Sequence, residues 1–195
     1  MLSGLVLAIL GGLVPTVFYV LFVWWLDRYE KEPVWLLATA FLWGAVPAAI
    51  LSVGLELLLE LPLTLLGDDS LAANVVSISV FAPLIEETCK GFALIGLVVL
   101  FHREFDDVLD GIVYGAMIGF GFALTENVFG YFVPILMAEG IDAARGIIFL
   151  RSIFSGLNHA FWTATTGAAV GLARLTRGWS LRILIVMAGW GLAVT

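Results

Sequence analysis

The sequence predicts an all-α protein, a polytopic transmembrane helical bundle, and three observations carry that reading. Of 195 residues, 62% are hydrophobic and the mean hydropathy is +1.08, whereas soluble domains run about 45–50% apolar. The apolar residues fall into successive runs, most of them at or above the about 20 residues that span a bilayer. Ionisable residues nevertheless sit near the middle of three runs. An uncompensated charge there costs at least about 2.5–3.5 kcal/mol, so those groups must find one another.

Six segments follow from the hydropathy: 3–26, 34–59, 73–101, 111–137, 144–174 and 181–195. The first lacks a basic leader and is long enough to span, so it reads as a retained helix rather than a cleaved signal. The breaks are polar or turn-forming: Asp27 to Pro33, Gly67 to Ser70, His102 to Asp110, Glu139 to Asp142, and Thr176 to Ser180. The first five segments reach spanning length, and the sixth is cut short at Thr195. The expectation is one integral-membrane helical domain over 1–195, truncated at its C-terminus.

Charge orients the bundle. Arg28, Lys31, Arg103, Arg174, Arg177 and Arg182 follow segments one, three and five, while Arg145 alone marks the other side. The positive-inside rule makes the first set cytoplasmic and puts the N-terminus outside. The net charge of −7 offers no footprint for nucleic acid. A single cysteine, Cys89, excludes an intrachain disulfide.

Polar groups then narrow the function. Glu86, Glu87 and Lys90 lie in segment three, Glu126 in segment four and His159 in segment five. Counted from the outer ends at about 1.5 Å per residue, Glu86 and His159 lie about 20 Å deep and Glu126 about 17 Å. Lys90 stands i+4 from Glu86 and i+3 from Glu87, in reach of both. Gly111, Gly115 and Gly119 form an i+4 stripe that permits close helix approach. Arg151, Ser155, His159 and Thr163 form an i+4 polar stripe, with Asn158 beside it. Pro83 is placed to kink segment three. For Arg151 the expectation is a structural pairing with Glu56 or Glu60. Several carboxylates with one internal base leave excess negative charge, which a proton or bound cation would relieve.

The motifs resemble those of the PrsW-type intramembrane metalloproteases, distant relatives of the CAAX prenyl endopeptidase and bacteriocin-immunity superfamily. They are Asp27-Arg28-Tyr29-Glu30-Lys31-Glu32-Pro33, Glu86-Glu87-Thr88-Cys89-Lys90, Asp110-Gly111-Ile112-Val113-Tyr114-Gly115, Phe122 to Asn127, and His159 to Thr163. The resemblance implies a peptide hydrolase of a prokaryotic cell membrane. It also implies a membrane-anchored protein substrate, such as an anti-sigma factor. Glu86 would activate water, assisted by Glu87, and Lys90 would balance their charge. Zinc is the expected cofactor, with Glu126 and His159 as ligands and a third from Glu86-Glu87 or from beyond Thr195. Asn127, Asn158 and Thr163 are candidates for oxyanion or supporting contacts. Two other classes compete: a proton- or cation-coupled transporter, and a catalytically silent scaffold. A metal-free glutamate/histidine protease competes within the enzymes.

Overall fold

The computed structural model describes residues 2–28, 31–65 and 77–194. Among the described residues every regular element is helical. Helix α1 runs Leu2–Leu26. Helix α2, Val34–Trp43, passes through a π-turn at Gly44–Ala48 into α3, Ala49–Leu65. A π-turn at Ser77–Phe81 leads into α4, Ala82–Leu100. Helix α5, Val108–Thr125, continues through a π-turn at Glu126–Phe132 into α6, Val133–Glu139. Helix α7, Ile141–Phe149, ends in a π-turn at Leu150–Phe154. Helices α8, Asn158–Leu175, and α9, Trp179–Val194, close the chain.

Local chemistry explains the interruptions. Pro47 lies inside one π-turn, while Pro83 and Pro134 stand at the second residue after two others. Proline lacks the N–H that an α-helix needs and crowds the carbonyl four residues back. The helix widens rather than breaks. Asp107 begins α5 with a capping box, its side chain accepting from Asp110 N at 3.0 Å while Asp110 accepts from Asp107 N at 2.9 Å. Gly140 and Gly178 take φ of 91° and 96° at the turns before α7 and α9, a region open to glycine.

Among the described residues three helical stretches are long and apolar enough to cross a membrane: Leu2–Leu26, Val34–Leu59 and Val108–Glu139. The expected breaks recur at residues 27–28 and 31–33, 101–107, 140 and 176–178; the break at Gly67 to Ser70 lies outside the described residues. The fifth segment departs from expectation. It is two helices, α7 and α8, separated at Ser155–Leu157. Gly156 marks the reason, because a Cβ there would meet Ser152 O and, at 2.8 Å, the Tyr19 ring. The chain turns where α7 meets α1. The i+4 stripe from Arg151 to Thr163 is therefore not one helical face, and the depth of His159 cannot be counted from Gly146. His159 instead lies in the first turn of α8.

Helix α5 is the central element. Its glycine stripe lies directly on α8: a Cβ at Gly111 would strike Gly167 O, one at Gly115 would meet Thr163 O at 2.5 Å, and one at Gly119 would meet His159 O at 2.5 Å. Opposite this seam, Gly121 abuts Phe41 O of α2. Leu36, Leu94, Phe105, Tyr114, Met117 and Ile118 form a core with essentially no exposure between α2, α4 and α5. That packing fixes the two helices that carry Glu126 and His159.

Candidate active site

Four elements bring the ionisable groups together. Lys90, on α4, is fully buried. Its Nζ stands 2.8 Å from Glu87 Oε1, 3.1 Å from Glu86 Oε2 and 3.1 Å from His159 Nδ1. An ammonium has three donors and no acceptor. All three are spent here, and the Phe122 ring lies 3.8 Å below the nitrogen. With Nδ1 accepting from Lys90, the proton of a neutral His159 sits on Nε2, which donates to Glu126 Oε2 at 2.8 Å. Glu86 Oε2 lies 3.7 Å from Nδ1. One imidazole thus joins the carboxylate pair of α4 to the carboxylate of the π-turn after α5.

The other side of Glu126 is clamped. Arg151 Nη2 donates to Glu126 Oε2 at 2.6 Å and its Nε donates to Asn127 Oδ1 at 2.6 Å. The guanidinium carbon lies 3.6 Å from the Tyr131 ring centroid. The partners described for Arg151, expected to pair with Glu56 or Glu60, are Glu126 and Asn127. Arg151 lies on the π-turn that follows α7, and the side chain of Glu60 lies outside the described residues.

Thr163 Oγ1 donates to Glu87 at 3.1 Å and supports it from α8. Asn158 is exposed and lines the same cavity, of about 360 Å³, as Glu86, Glu126, Arg151 and His159. Tyr131 and Trp162 also line it. The sequence reading missed both. Tyr131 is five residues beyond Glu126, off its face in an α-helix but near it in the wider π-turn. Only a signal for the π-turn could have found it, and Pro134 is that signal.

A second polar cluster sits near the chain turn between α1 and α2, well outside this site. The Tyr114 hydroxyl donates to Glu32, and Asp27 accepts from Glu32 N at 3.1 Å. Burial pushes the Glu32 carboxyl up to about 8; neighbouring Asp110 adds to the rise, while the Tyr114 hydrogen bond opposes it. Burial raises Asp27 as well, against the opposing Glu32 N–H bond. Two sequence motifs, Asp27 to Pro33 and Asp110 to Gly115, are thus one contact in space.

For zinc, the donor chemistry fits in part. Glu126 Oε2 and His159 Nε2 face each other, and both are ordinary zinc donors. Among the described residues no group of three or more His, Cys, Asp or Glu side chains is placed to hold a metal ion. Glu86 and Glu87 lie toward Nδ1, on the side occupied by Lys90.

The class is that of an all-helical protein with apolar spans long enough to cross a membrane and an ionisable cluster, paired glutamates with a lysine-braced histidine, beside a cavity. The comparisons give the family. The model of the PrsW family intramembrane metalloproteases matches residues 32–195, so the chain belongs to that family and is a peptidase. It is similar to protease PrsW of Oceanobacillus iheyensis, 31% identical over 84% of this chain and 68% of that protein. Protease PrsW of Geobacillus kaustophilus is 29% identical over 84% and 65%, and that of Bacillus subtilis 29% over 85% and 68%. The chain thus spans about two thirds of these relatives' length. No solved structure matches.

Proposed function

We propose that this chain carries the catalytic site of a metal-dependent intramembrane endopeptidase. It hydrolyses a peptide bond in a membrane-anchored protein substrate, such as an anti-sigma factor. The observation behind this is the meeting of Glu86 and Glu126 on opposite sides of His159, at the wall of a cavity. Glu86, 16% exposed, borders that cavity and takes the proton from the attacking water, then gives it to the leaving amine. Glu87, 4% exposed and held by Lys90 and Thr163, assists by keeping Lys90 in place. Lys90 neutralises the pair and steadies His159. Glu126 and His159 would hold zinc, which supplies water of pKa about 7 when bound. Asn158 and the remaining N–H groups of Arg151 are the donors best placed along the cavity for the oxyanion; Asn127 serves by orienting Arg151. A substrate helix must unwind at the bond that is cut, because an intact helix hides its amides. The N-terminus lies outside, by the loop charges.

One observation favours a second reading, the metal-free glutamate/histidine protease. Lys90 already bonds the ring nitrogen that a zinc-ligating imidazole would use as a donor. Zinc content separates the two. Elemental analysis of the purified protein beside His159→Ala and Glu126→Ala should give about one zinc per chain in the wild type and none in the variants. In parallel, a single-span anti-sigma-type reporter in liposomes should be cut and chelator should stop it. Cutting that persists in chelator, with no zinc bound, would establish the metal-free reading. Folded wild type that neither binds zinc nor cuts the reporter would refute both.

A further inference from the structure

We propose that the face formed by α4, α8 and α9 binds a phospholipid with an anionic headgroup. Its phosphate rests on Arg174 and Arg182, and one acyl chain fills the groove below them. The site lies at the arginine-rich end of the bundle. Arg174 Nη1 is buried and has no hydrogen-bond partner among the described residues. A buried N–H left unpaired is costly, and an anion would satisfy it. Arg182 is pinned to the same mouth, its Nε donating to Thr176 O at 2.8 Å, which leaves the other guanidinium donors for a ligand. The turn through Gly178, at φ 96°, is what brings the two arginines together.

Both arginines border a hollow of about 360 Å³ walled by Ile95, Val98, Val186 and Met187. Ile95, Val186 and Met187 also wall a second hollow of about 260 Å³ that reaches Thr88 and Trp190. The two make one apolar groove. Along α9 it runs from Trp179 to Trp190, 11 residues or about 16 Å. One leaflet of a bilayer core is about 15 Å deep. Trp179 is 75% exposed at the arginine end, as expected of an indole at headgroup level.

Charge and size select the occupant. Arg174, Arg177 and Arg182 cluster here, and no Asp or Glu follows Asp142 in the sequence. The carboxylate of nearby Asp107 is committed to its helix cap. Basic pockets between membrane helices take acidic headgroups. Hollows of about 360 and 260 Å³ suit a hydrocarbon chain, whereas a helix is about 10 Å across.

Native mass spectrometry of the full chain, released from micelles containing dioleoyl phosphatidylglycerol or dioleoyl phosphatidylcholine, tests the site. One phosphatidylglycerol should be retained with about tenfold preference, falling about fivefold in the exposed-side variant Arg182→Gln and vanishing in Arg174→Gln/Arg182→Gln. Ile183→Trp, which narrows the mouth of the groove, should weaken retention with both arginines present. Equal retention of the two lipids, or a preference that survives the double variant, would overturn the proposal. So would a dimer without lipid that Ile183→Trp abolishes, since the groove would then hold a second copy.

Discussion

Arg151 Nη2 and Glu126 Oε2 stand 2.6 Å apart, each on a π-turn of a different helix. Both side chains are about one fifth exposed, so solvent screens this pair only in part. Arg151 also holds Asn127 and stacks on Tyr131, which fixes its plane. A hydrogen bond to a charged group contributes about 1.5–3 kcal/mol, equivalent to roughly 10-fold or more in rate when it positions a reacting group. Arg151→Gln should therefore slow reporter cleavage at least about tenfold. Arg151→Lys should not rescue it, because an ammonium cannot make the two-point fork. A wild-type rate in Arg151→Gln would remove Arg151 from the site.

The two adjacent glutamates should separate by assay. Glu86 borders the cavity, and its substitution by Gln keeps an acceptor for Lys90 while removing the base. Glu86→Gln should reduce cleavage by about 10²–10⁴-fold with a near-native melting temperature. Glu87 is buried against Lys90 and Thr163. Glu87→Gln removes a charge from around a buried ammonium and should lower the melting temperature more than Glu86→Gln does. Strong residual cleavage in Glu86→Gln would reject it as the essential base.

Most of this site could be read from the sequence because its residues break a simple rule. Charges inside apolar runs are costly, so Glu86, Glu87, Lys90, Glu126 and His159 stand out against their surroundings. Arg151 stood out too, but its contacts with Glu126 and Asn127 were not foreseen. The depth of His159 was counted along one unbroken helix from residue 144 to 174, and Gly156 interrupts that helix through a contact with Tyr19 that is distant in sequence. Tyr131 was hidden for a different reason. Helical periodicity of 3.6 fails across a π-turn, and an aromatic residue in an apolar run carries no charge to betray it. The Glu32 and Tyr114 contact joins residues 82 apart, which no local pattern encodes.

Close packing of α5 on α8 leads to a prediction about His159. A Cβ at Gly119 would meet His159 O at 2.5 Å and Ala160 Cα at 2.6 Å, both backbone atoms that cannot rotate away. Gly119→Ala should push the first turn of α8 outward, cost about 1–3 kcal/mol, and displace His159 from Glu126. Cleavage should fall further than the stability loss alone explains. Gly96 provides the control, since a Cβ there meets nothing within 4 Å. Gly96→Ala should be neutral or stabilising by up to about 1 kcal/mol. Thermal melting beside cleavage rates decides; a Gly119→Ala protein as stable and active as wild type would mean that the helices do not pack at this spacing.

Glu32 sets a pH dependence with a defined sign. Its carboxyl titrates at about 8 in the folded protein against 4.5 ordinarily, chiefly through burial. Below 4.5 the group is protonated in both states, and its contribution to stability is fully present. Between 4.5 and about 8 the unfolded chain releases the proton while the folded protein keeps it. The unfolded state then binds fewer protons, so stability falls as pH rises and the loss is complete above about 8. Asp27, also raised, adds to the same slope. Glu32→Gln keeps an acceptor for Tyr114 without the ionisation. Its melting temperature should exceed that of wild type at alkaline pH, and the difference should shrink steadily toward pH 4.5. Every titrating group contributes to each curve, so the difference between the two proteins is the quantity to follow, not either curve alone. A difference that stays constant across this range would mean that Glu32 is already ionised in the fold and that its contact with Tyr114 is charged.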